Sequence, residues 1–172
     1  FYGRLGEIYK DTVDIIMCES MSSIFEGRNA SRVAKEFSER VWLSWTNRGH
    51  QPDQLPSTEA LSKAVDFSIE AEVECTLINC SHADMASNSI KELKRASRFG
   101  IFANSSTFKE VDLSVATKDV DAIHHLNSEE ISAKEYAMIA LSWAKEGAFV
   151  VGGCCGTTVE HTREIKLLMD SL

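Results

Sequence analysis

Short apolar runs alternate with helix-periodic segments from one end of the chain to the other. Val13-Asp14-Ile15-Ile16-Met17 predicts a buried strand, followed by a polar turn at 19–23 and a helix over 26–39. Val41-Trp42-Leu43-Ser44-Trp45-Thr46 predicts the next strand. A loop holding both prolines, Pro52 and Pro56, leads to Ser57-Thr58-Glu59, a helix start, and that helix runs to about residue 70. Residues 74–79 form a third strand, and 87–97 a helix with Ile90, Leu93 and Lys94 at helical spacing. Gly100-Ile101-Phe102-Ala103 is a short strand, and 106–127 is a long polar connection without periodicity. Residues 132–145 form a helix with Tyr136, Ile139, Ala140 and Trp143 on one face, ended by Gly147. Residues 148–152 make the last strand and 160–170 the closing helix; an amphipathic helical pattern also opens the chain.

Apolar strands separated by helices suit βα units of a parallel sheet. Both a doubly wound sheet and a (β/α)₈ barrel fit the pattern. No G-x-G-x-x-G fingerprint follows the first strand. Glu19, Thr46, Asn79, Cys80, Asn104, Cys154 and Cys155 all fall at or just past predicted strand ends. Parallel strands place those ends on one face, where such folds build their sites.

Composition narrows the class. A chain of 172 residues, 44% hydrophobic and 26% charged, suits one soluble domain with a sizeable core. A formal charge of −8 argues against a nucleic-acid partner. No segment approaches the roughly 18 apolar residues of a membrane span, and no leader pattern opens the chain. Five cysteines, two of them adjacent, suit a reducing, cytoplasmic compartment. The chain starts at Phe1 and enters a helix almost at once, which suggests a fragment.

The candidate chemistry is sulfur chemistry. Gly152-Gly153-Cys154-Cys155-Gly156-Thr157 places two adjacent thiols in a glycine-rich turn directly after an apolar run. Thiolates prefer zinc or copper(I), and flanking glycines let the backbone turn tightly enough for both sulfurs to reach one ion. Cys80 also follows an apolar run, Cys75-Thr76-Leu77-Ile78. Three thiolates with a fourth position open describe a catalytic zinc site, here expected to act on a sulfur substrate.

These segments resemble the homocysteine S-methyltransferase family. The resemblance rests on Ile78-Asn79-Cys80-Ser81 and on Gly152-Gly153-Cys154-Cys155-Gly156-Thr157-Thr158 with Glu160-His161. Cys18-Glu19-Ser20 and Phe102-Ala103-Asn104-Ser105 support it, and it extends over essentially the whole chain. It implies a (β/α)₈ barrel, of which this single domain would hold the last five strands and lack the first three βα units. It implies Zn²⁺ on Cys80, Cys154 and Cys155, Glu19 near the amino group of homocysteine, and Asn104 beside the metal. The implied reaction is methyl transfer to the homocysteine thiol, giving methionine, with S-methylmethionine or another sulfonium as the preferred donor. The sequence departs from the family pattern at Ala103 and Ser105-Ser106, where a proline and a glycine are common, and at Val159, which replaces a proline.

Other residues have plainer readings. Cys18 and Cys75 lie in strand-like runs as packing residues, and His124-His125 falls in the irregular connection as a solvated loop. His161 sits in the first turn of the last helix with a structural role, and Trp42, Trp45 and Trp143 line the core or a pocket wall. Two alternatives stand beside the enzyme. One is a zinc-binding half-barrel that needs a partner chain and self-associates through open sheet edges; the other is a thiol redox protein using Cys154-Cys155.

Overall fold

The computed structural model describes residues 2–108 and 128–171. Its centre is a five-stranded parallel sheet: β1 (Ile16–Met21), β2 (Val41–Trp45), β3 (Cys75–His82), β4 (Phe99–Asn104) and β7 (Val150–Gly153). The order in space follows the order in sequence, β1-β2-β3-β4-β7. A doubly wound sheet reverses direction at a switch point, whereas sequential order without reversal belongs to a barrel wall. Helices α1 (Tyr2–Tyr9), α2 (Ile24–Ala34), α3 (Leu61–Glu70), α4 (Ala83–Asn88), α5 (Ile90–Leu93), α6 (Ala133–Lys145) and α7 (Val159–Met169) flank it. A two-stranded antiparallel ribbon, β5 (Ser106–Phe108) with β6 (Ser128–Glu130), follows β4. No helix among the described residues is long and apolar enough to cross a membrane.

Register aligns one row of side chains across the sheet: Met21 pairs with Trp45, Trp45 with Ile78, Ile78 with Ile101, and Ile101 with Val151. Alternation then divides the strands. Leu43, Trp45, Ile78, Ile101 and Ala103 join the apolar core against the helices, with Ala64, Val65, Tyr136, Ala140 and Trp143. Ser44 and Asn79 occupy the opposite face, both fully buried. Cys18 and Cys75 are buried, as expected of packing residues. Trp45 and Trp143 are buried outright, each with its indole N–H on a serine hydroxyl (Ser68 at 3.0 Å, Ser87 at 2.7 Å). Trp42 is half-buried and donates to Glu74 at 3.0 Å.

Several boundaries differ from the sequence pattern. β1 begins at Ile16, not Val13, because parallel pairing starts where β2 supplies a neighbour: Ile16 opposes Val41, and Val13 is left exposed. β3 continues through Cys80 to His82. The helix expected over 57–70 begins at Leu61, since residues 55–59 close a turn through Leu55 N–H and Glu59 C=O at 2.9 Å, with Thr58 left-handed at φ 73°. The helix expected over 87–97 is two short helices flanking Ser89. Ser89 is buried, donates to the Pro52 carbonyl at 2.9 Å and accepts from Asn47 at 3.1 Å, which ties the break to the loop after β2. The helix after 132 is as expected, with Ser132 and Glu135 forming a reciprocal cap. His161 likewise has the structural role expected: its Nδ1 accepts the Thr158 N–H at 3.1 Å and closes the cap of α7. The polar connection expected over 106–127 opens with β5; His124-His125 lies outside the described residues.

Candidate functional site

The C-terminal strand ends bring three thiols together. The Sγ atoms of Cys80, Cys154 and Cys155 all lie within 4.8 Å of one another, and Cys80 and Cys155 are 3.7 Å apart. Tetrahedral zinc with sulfurs at about 2.3 Å requires an S···S edge of about 3.8 Å. The donor set and its spacing therefore fit such an ion. Cys154 and Cys80 are half-buried and Cys155 is exposed, which leaves one side of the cluster open.

Each sulfur is placed by local backbone geometry. Cys80 sits in the left-handed region at φ 52°, where β3 slips register against β4 between Asn79 and His82. Its carbonyl accepts the Thr46 hydroxyl at 3.3 Å. The Cys154-Cys155 turn is fastened to β4 on both sides. Cys154 N–H donates to the Ala103 carbonyl at 2.8 Å, and Ser105 N–H donates to the Cys155 carbonyl at 3.0 Å. The Asn104 carboxamide oxygen takes the Cys155 N–H at 3.1 Å. Thr157 closes the turn, its hydroxyl donating to the Cys154 carbonyl at 2.7 Å. Gly156 is left-handed at φ 76°, and a Cβ there would stand 2.5 Å from the Ser105 hydroxyl.

Burial is the main influence on the thiols. It pushes Cys80 up to about 12, with Cys154 and then Cys155 adding in the same direction. Burial also raises Cys154, and the neighbouring Cys155 raises it further. Both shifts favour the protonated thiols of Cys80 and Cys154, through burial first and the neighbouring sulfurs second. A bound divalent cation would reverse that preference.

Glu19 and Asn104 are both at this end of the sheet. Glu19 is exposed in β1, and its Oε1 accepts Asn79 Nδ2 at 3.1 Å. Asn104 is buried, with its side chain engaged on the Cys155 backbone. The supporting roles of two residues were not legible in the sequence. Tyr136, an apolar-face residue by its spacing, places its hydroxyl 2.7 Å from the Ala103 carbonyl and 2.8 Å from the Gly152 carbonyl. Asn79 stood among the candidate residues at strand ends, but nothing local marks its partners on β1 and β2.

A sequentially ordered parallel sheet with a three-thiol cluster at its C-terminal strand ends defines a βα protein of the barrel type, with a donor set that could hold a metal ion. Within that class, the chain belongs to the homocysteine S-methyltransferase family, whose family model matches residues 1–169. It is 25% identical over 172 residues to homocysteine S-methyltransferase YbgG of Bacillus subtilis (strain 168), covering 98% of this chain and 51% of that protein. It is 20% identical over 166 residues to homocysteine S-methyltransferase 1 of Brassica oleracea var. italica, covering 95% and 48%. Among solved structures, the metallated form of the homocysteine methyltransferase MmuM from Escherichia coli superposes with a TM-score of 0.65 at 19% identity, over 91% of this chain and 46% of that one. The apo form gives 0.64 at 19% identity, over 91% and 50%. At that identity the structures show a shared fold. The chain spans about half the length of the curated relatives it matches.

Proposed function

We propose that this chain carries the zinc and thiol half of a homocysteine S-methyltransferase, as one domain corresponding to the last five strands of the barrel. The observation that carries the reading is the three-sulfur cluster, with Cys80 and Cys155 at 3.7 Å, the edge length of a tetrahedral zinc–thiolate site. Cys80, Cys154 and Cys155 would hold the ion. Zinc bound there would supply the Lewis acidity that makes a substrate thiol nucleophilic at neutral pH.

The chain's own residues do the rest. Glu19 offers an exposed carboxylate for the ammonium of homocysteine, and Asn104 fixes the Cys155 backbone so that the sulfur keeps its place. Orientation of this kind lowers the barrier to an in-line displacement. In that displacement the homocysteine thiol gives up its proton to solvent, and its sulfur forms a bond to the donor methyl carbon. The bond from methyl to donor breaks, and its electron pair stays on the donor. A sulfonium such as S-methylmethionine leaves as a neutral thioether, which makes it the preferred donor. Free thiols suit a reducing compartment such as the cytoplasm.

A second reading is favoured by one feature. The outer strands β1 and β7 have no further partner among the described residues, and the relatives are about twice as long. The zinc half would then need a companion segment to complete the substrate pocket.

The test is zinc per chain on protein purified under reducing conditions, beside a Cys80→Ser control, followed by methionine formation from homocysteine and S-methylmethionine. Near-stoichiometric zinc that is lost in the control, with methionine produced, supports the enzyme. Zinc without methionine points to the half-barrel. Absence of zinc from both proteins overturns the metal reading.

A further inference from the structure

Asn79 is fully buried, and every hydrogen-bonding position of its amide is occupied. Its Oδ1 accepts the Ser20 N–H at 3.0 Å and the Ser44 hydroxyl at 2.6 Å. Its Nδ2 donates to the Ser20 hydroxyl at 2.7 Å and to Glu19 Oε1 at 3.1 Å. A carboxamide has two acceptor lone pairs and two donors, so none is left over. The orientation is forced as well. The Ser20 partner is a backbone N–H, which can only donate, so the oxygen faces it and the nitrogen faces the carboxylate.

Two further observations separate this amide from ordinary packing. Ser20 (φ 59°) and Cys80 (φ 52°) are both left-handed non-glycine residues, and each sits where its strand slips register. Such residues are unfavourable in isolation and persist where their surroundings over-determine them. Asn79 bonds one of them through its side chain and adjoins the other along the backbone. The second observation is Glu19 itself. Its carboxylate is exposed and pairs with no lysine or arginine among the described residues, yet one oxygen is pinned by a buried donor. An anchored carboxylate has lost rotamer freedom before any ligand arrives, which is preorganisation toward a cation.

We propose that Asn79 is a positioning residue that fixes the Glu19 carboxylate relative to Cys80, so that the site selects thiols carrying an α-ammonium group over thiols that lack one. The inference rests on the metal–thiol reading above and adds the device that sets its substrate class. Selectivity of this kind is a ratio of two affinities, and it can be lost while thiol binding survives.

The experiment loads the chain with cobalt(II) as a spectroscopic substitute for zinc and follows the thiolate-to-metal charge-transfer band. The ligands are homocysteine and 4-mercaptobutyrate, which has the thiol and the carboxylate but no ammonium. The parent chain should favour homocysteine by about tenfold or more, the size of one charge-assisted hydrogen bond. In Asn79→Ala, and in Asn79→Ser should the alanine variant fail to fold, bound cobalt should stay near the parent level. Affinity for 4-mercaptobutyrate should hold within about threefold while the ratio falls toward unity. In a Glu19→Gln background the same substitution should change the ratio no further. A ratio unchanged by either variant overturns the inference, as does an equal loss in the Glu19→Gln background. Cobalt lost from both variants also overturns it, because Asn79 would then be holding Cys80. A parent chain giving no band with either ligand fails the metal–thiol reading itself, a distinct result.

Discussion

Asn104 holds Cys155 by its backbone: the carboxamide oxygen accepts the Cys155 N–H at 3.1 Å from a buried position at the end of β4. This bond, with Ser105 N–H on the Cys155 carbonyl, clamps the turn that carries two of the three sulfurs. Asn104→Ala should therefore weaken metal binding by about 10–100-fold, the usual cost of removing a group that orients a ligand. Asn104→Asp keeps the accepting oxygen and should retain most of the affinity. Competition with a chromophoric chelator measures both, and equal affinities in parent and alanine variant would remove Asn104 from the site.

Tyr136 bridges the ends of β4 and β7 through one hydroxyl set against the Ala103 and Gly152 carbonyls. Burial keeps this phenol well above its ordinary range, so it remains a donor throughout the working pH. Tyr136→Phe should cost about 1–2 kcal/mol, the loss of one buried hydrogen bond with little change in packing. Urea denaturation would read this as a lower midpoint at unchanged slope, with Trp143 still edge-on to the ring.

Gly156 combines a left-handed backbone with a close approach to Ser105. Gly156→Ala should lose about 1–2 kcal/mol from backbone strain alone, and more if Ser105 has to move. The accompanying loss of metal affinity should exceed that of Gly49→Ala. Gly49 is also left-handed, at φ 52°, but nothing lies within 4 Å of the position its Cβ would take. Comparable metal affinity in the two variants would contradict this account of the turn.

Stability should fall in alkali for a reason outside the site. Burial raises Cys18 to about 11 and Cys75 to about 12, against an ordinary thiol value of 9.0. The unfolded chain therefore releases these protons first. Each thiol's contribution is fully present below pH 9 and is lost as the pH climbs to between 11 and 12. The slope is about 1.4 kcal/mol per pH unit for each thiol at most. Cys75→Ala should flatten the decline between pH 8 and 10.5 in urea titrations, and an unchanged decline would place the cause elsewhere.

The apolar runs and helical spacings determined the order of strands and helices, because those patterns depend on neighbours a few residues away. The helix over 132–145, the Gly152-Gly153-Cys154-Cys155-Gly156 turn and the packing role of Cys75 were legible for the same reason. Strand limits were not. β1 starts where β2 can pair with it, and β3 runs past Cys80 through a left-handed residue that no local rule anticipates. Ser89 divides a helix because its hydroxyl is engaged by Asn47 and Pro52, 42 and 37 positions away. Cys80 meets Cys155 across 75 positions, and Asn79 meets Glu19 across 60. Contacts at such separations leave no periodic trace in the chain. They exist because parallel strands deliver their C-terminal ends to one face, which is a property of the sheet and not of any one segment.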